Sequence, residues 1–305
     1  MTASVIVPSY NGAKKLPNLL AALEQQTIND FEVIIVSDGS VDNTAAVVND
    51  GGWKLNLKLI EQQNKGRSAT RNRGAAVATS DLLIFFDDDM RPWPACLEEH
   101  IKHHRQYPHS IVTGGLQEEV TENATELFKY KAFLSDKWLS PLKGVGSKAL
   151  AKDQVFVTTA NFSIAKKDFN ILKGFDERLT DAEDYEFAVR AVKHGLPLFF
   201  RNDAFAWHDD VITTASYIKR QRQYAIANAK LRDIHPNWVK EGYLKLPYKP
   251  TLLKAILFNL FCSRIWIDAL DNNKFKKLPL AFRYRLYDYI ITANGAIYPE
   301  KVALT

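Results

Sequence analysis

Three consecutive carboxylates, Asp87-Asp88-Asp89, follow directly on five apolar residues, Leu82-Leu83-Ile84-Phe85-Phe86. The apolar run has the pattern of a strand buried on both faces, as in a parallel sheet. An ionised carboxylate is costly to bury without a partner, so three at a strand end call for a cation or solvent. In extended chain, residues i and i+2 share a face, which would let Asp87 and Asp89 point the same way. Two hard oxygen donors on one side suit Mg²⁺ or Mn²⁺, completed by water and substrate phosphates. A second acidic group, Asp181-Ala182-Glu183-Asp184-Tyr185-Glu186, opens an amphipathic helical pattern with Phe187, Val189, Ala191 and Val192 apolar. Acidic residues at a helix start commonly serve only the helix dipole, at about 0.3–1 kcal/mol each. A third, His208-Asp209-Asp210, ends a strand-like run, where a lone histidine is more often structural than a ligand.

The elements that must hold these groups alternate along the chain. Apolar strand patterns cover residues 3–7, Phe31 to Val36, Leu55 to Ile60 and the run before Asp87. Helical patterns lie between them: Leu16, Leu19, Leu20 and Leu23; Asn43-Thr44 onward; and Ala69 to Ala78. This rhythm predicts an α/β layered domain with a largely parallel sheet. Ligands then bind beyond the carboxyl ends of the strands, where Pro8-Ser9-Tyr10-Asn11, Asp38-Gly39-Ser40 and Asp87-Asp88-Asp89 stand. An Asp-Gly pair such as Asp38-Gly39 ordinarily just makes a turn, but at a buried strand's exit it favours ligand contact. Beyond Asp89 the pattern predicts a helix from Trp93 to His104 and a strand near Ile111 to Thr113. A mobile loop follows in 120–150, marked by Pro141, Gly144 and Gly146. Next come a strand from Val155 to Ile164 containing Asn161, and short strands Leu198–Arg201 and Ala204–Trp207.

The 305 residues suffice for one large domain or two smaller ones, with an ordinary 46% apolar and 25% charged content. Cys96 and Cys262 have no metal or redox spacing, and the N-terminus shows no secretory leader, so a reducing, cytoplasmic setting is expected. The net charge of +5 is uneven: residues 245–305 hold ten Lys/Arg against four Asp/Glu, leaving about −1 for residues 1–244. Nucleic-acid binding is disfavoured, since most of the chain is slightly acidic and shows no reader motif. A dinucleotide oxidoreductase needs Gly-x-Gly-x-x-Gly after the first strand, and a phosphate-loop NTPase needs Gly-Lys-Ser/Thr; neither is present in a suitable place.

Taken together, five segments resemble family 2 glycosyltransferases. Val5-Ile6-Val7-Pro8-Ser9-Tyr10-Asn11, Val36-Ser37-Asp38-Gly39-Ser40-Val41-Asp42-Asn43-Thr44 and Phe86-Asp87-Asp88-Asp89 are similar to that family's nucleotide-sugar half. Gly66-Arg67-Ser68-Ala69-Thr70-Arg71-Asn72-Arg73-Gly74 is similar to its helix before the metal strand. Gly174-Phe175-Asp176-Glu177 with Glu183-Asp184 is similar to its acceptor half. The resemblance covers roughly residues 3–210. It implies a GT-A, Rossmann-like domain over 1–244, with a nucleotide-sugar-binding half in 1–115 and an acceptor half in 116–244. A basic, aromatic helical extension would occupy 245–305.

The resemblance also implies roles. Pro8, Tyr10 and Asp38 would line the base pocket, with Asn11, Gly66, Arg67 and Asp88 among the nucleotide-sugar contacts. Asp87 would contact ribose or sugar, and Asp89 and His208 would hold Mn²⁺ or Mg²⁺. Asp184 would be the catalytic base, with Glu183 and Asn161 near acceptor or sugar. The function implied is inverting transfer from a nucleotide-diphosphate sugar, a UDP-sugar by preference, to a glycan or lipid-linked acceptor in cell-envelope polysaccharide synthesis. The Gln-x-x-Arg-Trp of processive members is absent, since Gln221-Arg222-Gln223-Tyr224 does not match it, so a polymer-threading synthase is disfavoured. A non-catalytic nucleotide-sugar-binding module on the same fold is the alternative.

The tail stands outside the resemblance. Leu252 to Leu270 is mostly apolar but interrupted by Lys254, Asn259, Arg264 and Asp268, so it is not expected to span a membrane. Further on, Lys274, Lys276, Lys277, Arg283 and Arg285 alternate with Phe275, Phe282, Tyr284 and Tyr287. Helices packed on the catalytic domain are one reading; a peripheral foot on the anionic inner face of the cytoplasmic membrane is the other.

Overall fold

Strand β1 (Ala3–Ser9) is buried almost throughout, and its two neighbours account for this. It runs parallel to β2 (Phe31–Asp38) on one side and to β4 (Leu82–Phe86) on the other, while β3 (Asn56–Gln62) lies parallel outside β2. The crossovers are α1 (Leu16–Glu24), α2 (Thr44–Asp50) and α3 (Arg67–Val77). The computed structural model describes residues 1–145, 148–151 and 154–304; Gly146, one marker of the expected loop, lies outside them.

The sheet order is β3-β2-β1-β4-β7-β6-β8-β5. Its second half comprises β5 (Met90–Pro92), β6 (Ile111–Gln117), β7 (Asn161–Ala165) and β8 (Leu198–His208). The sheet is mixed rather than uniformly parallel: β7 is antiparallel to both β4 and β6, and β5 is antiparallel to β8. Helices α4 (Cys96–Gln106), α5 (Glu126–Lys143), α6 (Lys166–Ile171) and α7 (Glu183–Lys193) complete the alternation. One apolar layer joins Val5, Val7, Leu16, Leu20, Ile84 and Phe86; the opposite layer joins Ile6, Phe85, Phe162, Phe175 and Phe187. This division follows the strand alternation, with Val5 and Val7 on one face and Ile6 on the other.

The structure corrects several expectations. Residues 126–143 form a helix where a loop was expected, because Leu127, Tyr130, Leu139 and Leu142 recur at helical spacing and are buried. Pro141 sits in its last turn, where it lacks the N–H that would donate to the Lys137 carbonyl, and the helix ends two residues later. The two short strands at 198–207 are one strand, β8, and the polar residues between them face a register shift at Gly114/Leu116 of β6. The strand expected over 155–164 is confined to Asn161–Ala165, and α4 starts at Cys96, with Pro94 in the turn before it.

The chain divides into two compact units, one of residues 1–119 and 138–209, the other of 120–137 and 210–305, rather than at 244. The reason is α8 (Thr214–Ile234). Its Ile218 joins an apolar cluster with Ile267 and Leu270 of α10 (Arg264–Asp271) and Tyr287 and Ile290 of α11 (Leu280–Thr292). The cluster also takes in Leu127 and Tyr130, and Arg283 meets Glu126 at 2.9 Å. Between α8 and α10 lies α9 (Leu252–Phe261). Among the described residues no helix is long and apolar enough to cross a membrane.

Candidate active site

The register of β1, β2 and β4 brings Ser9, Asp38 and Asp87 to one edge of the sheet. Strand β4 stops at Phe86, and Asp87-Asp88-Asp89 forms a turn closed by the Met90 amide donating to the Asp87 carbonyl at 3.2 Å. Because the chain turns here, the shared-face rule for extended residues does not apply, and the three carboxylates diverge. Asp87 accepts from Arg71 at 2.6 Å. Asp88 is buried, accepting from Ser9 Oγ at 2.8 Å and from Lys15 Nζ at 3.2 Å. Asp89 accepts from Lys15 Nζ at 3.0 Å and lies 3.5 Å from His208 Nε2.

These partners split the carboxylates electrostatically. Burial raises the Asp88 carboxyl against the pull of Lys15. Burial also acts on Asp89, but the hydrogen bond and charge of His208, followed by Lys15, outweigh it and hold this carboxyl well below the usual range. Lys15 is shifted upward: burial opposes its charge, and Asp89 and Asp88 more than compensate. Gly12 permits this packing, since a Cβ there would lie 2.0 Å from Ser9 Oγ and 2.9 Å from Asp88 Oδ2.

Arg71, on α3, is fully buried and links the two acidic groups. One terminal nitrogen donates to Asp87 and the other to Glu183, each at 2.6 Å. Glu183 and Asp184 occupy the first turn of α7, whose cap residue Ala182 is held in the left-handed region at φ +60°. For a residue with a side chain that conformation costs about 1–2 kcal/mol, and it sets the angle at which α7 presents its first turn. Burial, then the charge of Glu183, push Asp184 up to about 7, while the Tyr185 amide donates to it at 2.7 Å. A carboxylate poised near neutrality is suited to taking a proton from a hydroxyl. The Gly174-Phe175-Asp176-Glu177 segment is clamped to α3, Asn72 exchanging two hydrogen bonds with Phe175, both at 2.9 Å.

In the expected nucleotide half, Asp38 is buried and accepts from the Lys65 and Gly66 amides at 2.8 and 2.9 Å and from Gln62 at 2.8 Å. It thus shapes the Gly66 loop, and a carboxylate with three such bonds keeps capacity for one further donor. Pro8 is half-buried, Tyr10 is exposed in the loop after β1, and Arg67 is exposed at the start of α3. Asn11, at φ +51°, accepts from the Val41 amide at 2.9 Å and donates its own amide to Ser40 Oγ at 3.0 Å, joining the loops after β1 and β2.

Asn161 does not join the acceptor side. It is fully buried, its amide nitrogen donating to the Gly115 and Ala204 carbonyls at 3.0 and 2.8 Å and its oxygen meeting His100 Nε2 at 2.8 Å. It pins β6, β7 and β8 together instead. Sequence reasoning assigned no role to Lys15, Arg71 or Glu118. Arg71 lies inside the Gly66–Gly74 segment, but nothing in local spacing marks it as the link to residue 183. The Glu118 carboxylate is buried 3.7 Å from His208 Nδ1. Asp89 oxygen, His208 nitrogen and a carboxylate behind the imidazole form a donor set that fits Mn²⁺ or Mg²⁺.

Comparison with known proteins points to one family. The Glycosyl transferase family 2 model matches residues 4–171. The chain is 28% identical over 220 residues to Validoxylamine A glucosyltransferase of Streptomyces hygroscopicus subsp. jinggangensis (strain 5008), covering 64% of this chain and 52% of that protein. It is 29% identical over 202 residues to Amylovoran biosynthesis glycosyltransferase AmsB of Erwinia amylovora, covering 63% and 64%. The match thus spans less than two thirds of either relative's length. Among solved structures, mannosyltransferase PcManGT from Pyrobaculum calidifontis, in complex with GDP-Man and Mn²⁺, superposes with a TM-score of 0.65 at 19% identity, covering 98% of this chain and 87% of that one. S. aureus TarS 1–349 in complex with UDP-GlcNAc does so at 0.57 and 19%, covering 98% and 91%. These likenesses show the GT-A fold.

Proposed function

Because the chain belongs to glycosyl transferase family 2, we propose that it is a metal-dependent, non-processive, inverting glycosyltransferase. Its donor is a nucleoside-diphosphate sugar, a UDP-sugar in the first instance. Its acceptor is a hydroxyl of a glycan or lipid-linked saccharide, in cell-envelope polysaccharide synthesis at the cytoplasmic face of a membrane that residues 245–305 contact. The observation that carries this reading is Arg71, which holds the Asp87 strand end and the Glu183-Asp184 helix start together. The relatives' names supply the context of polysaccharide synthesis, and the neighbours' complexes that of nucleotide-sugar donors.

The chemistry assigns each group a task. Asp38 and the loop it shapes receive the base, and Asp87 is directed at ribose or sugar. A Mn²⁺ or Mg²⁺ ion held by Asp89 and His208 would supply positive charge to the departing nucleoside diphosphate. Asp184 accepts the proton of the attacking hydroxyl, help worth roughly 10²–10⁴-fold. Attack on the face opposite the leaving group inverts the anomeric centre. Glu183, neutralised by Arg71, keeps its neighbour from carrying the full repulsion of a second free carboxylate.

Incubation with a panel of UDP- and GDP-sugars and Mn²⁺, scored by nucleoside diphosphate release, tests the proposal. Release from one donor, abolished by chelator and by Asp184→Asn, is expected. Tight donor binding with no release under any condition would establish the non-catalytic module instead.

A further inference from the structure

Helix α9 buries only Phe258. At 3.6 residues per turn, Leu252, Ile256, Leu260 and Leu253 fall within an arc of about 100°, and Phe258 lies on the opposite side. Those four are 78%, 60%, 62% and 81% exposed. The usual arrangement is thus doubled: one apolar side packs within the unit, and a second, larger one faces outward. A contiguous apolar surface of this kind marks an interaction site.

The surrounding charge selects the partner. Residues 242–267 contain Lys245, Lys249, Lys254 and Arg264 and no Asp or Glu; Arg264 is paired with Asp268 at 2.9 Å, which leaves the three lysines as the positive charge. Lys245 and Lys249 are exposed in the segment leading into α9, and Lys254, exposed on the helix about 100° beyond the apolar arc, has its Nζ 6.0 Å from the ring centroid of exposed Tyr248. Pairing this face with a second copy about a two-fold axis would bring like charges together. An acidic lipid surface meets both features, taking leucine and isoleucine into the acyl boundary and the lysines among the headgroups. We propose that the outward face of α9 is a docking surface for an anionic lipid bilayer. The proposal rests on the reading above, in naming the partner of a chain whose acceptor is lipid-linked.

Flotation of the full chain with phosphatidylcholine vesicles, with and without phosphatidylglycerol, tests it. The chain should rise with the anionic vesicles only, and added salt should weaken recovery. Leu252→Gln/Ile256→Gln and Lys249→Gln/Lys254→Gln should each lower partitioning by about tenfold. All four side chains are exposed, so unchanged circular dichroism should accompany the loss. Recovery of the wild-type chain away from anionic vesicles overturns the proposal. So does a dimer in sedimentation equilibrium that Leu252→Gln/Ile256→Gln dissociates, which would show a second copy covering the face. Donor turnover in vesicle-free solution is read in parallel on the same variants. Turnover without flotation removes the docking surface and the membrane contact and leaves the transfer chemistry, and flotation without turnover removes only the catalytic reading.

Discussion

The guanidinium of Arg71 lies 2.6 Å from the carboxylate of Glu183, although 112 residues separate them. Both side chains are withdrawn from solvent, and the other guanidinium arm reaches Asp87. The expected metal-side turn and the expected base-bearing helix are therefore coupled by one buried cation.

Arg71→Met should be strongly destabilising, since it leaves Glu183 buried without its counter-charge. Removing one partner of a buried pair costs about 3–5 kcal/mol. Urea denaturation of Arg71→Met and of Arg71→Met/Glu183→Gln measures this. The double variant should recover part of the loss; a single-variant cost below about 1 kcal/mol would show that solvent already screens the pair.

The proposed role of Asp184 as base requires it deprotonated, and its carboxyl is raised to about 7 by burial and by Glu183. The turnover rate should therefore climb as pH rises through about 7 and collapse below it. Asp184→Asn should lower kcat by roughly 10²–10⁴-fold with donor affinity nearly unchanged. If donor affinity falls in step with kcat, Asp184 binds or supports and does not take the proton.

A divalent cation held by Asp89, as proposed, would compete with Lys15, whose Nζ stands 3.0 Å from Asp89 Oδ2 with its side chain still 47% exposed. Titration calorimetry with Mn²⁺ alone should show Lys15→Met binding tighter by roughly tenfold, equivalent to about 1.4 kcal/mol. Asp89→Ala should abolish binding, and His208→Ala should weaken it less. Unchanged Mn²⁺ affinity in Asp89→Ala would remove that residue from the metal site.

Three buried histidines make the fold acid-sensitive. His100 and His103 are depressed to about 4 and His104 to about 3, in each case first by burial. Their ordinary value is 6.5, so between about 6.5 and 4 the unfolded chain takes up protons that the folded chain refuses. Stability is fully present above that window and declines as pH falls through it, by up to about 1.4 kcal/mol per pH unit for each histidine. Denaturation midpoints across pH 4 to 7 check the slope. His104→Phe should make it shallower by about one proton, and an identical slope would place the sensitivity elsewhere.

What the amino-acid sequence determined by itself is the local part of this protein. A five-residue apolar run is too short for a helix of its own and too apolar for an exposed strand, so β4 and the carboxylates at its end were legible, as were β1, β2 and the helices between them. Asp184 at a helix start was legible from the amphipathic pattern of Phe187, Val189, Ala191 and Val192 that follows it. Tertiary structure decided the rest, because the deciding contacts join residues far apart in sequence. Lys15 reaches Asp88 and Asp89 across 73 and 74 positions, and no periodicity records that meeting. Asn161 had the type and strand position of a ligand, but β6 and β8 close over it and its amide is consumed in holding them. The i, i+2 rule failed for Asp87 and Asp89 because a turn intervenes, and a turn is set by what the following residues pair with, here Met90 with His208 on β8. On α9 the apolar residues were plain in the sequence, yet which of them face solvent depends on the single side, that of Phe258, which the folded unit has room to bury.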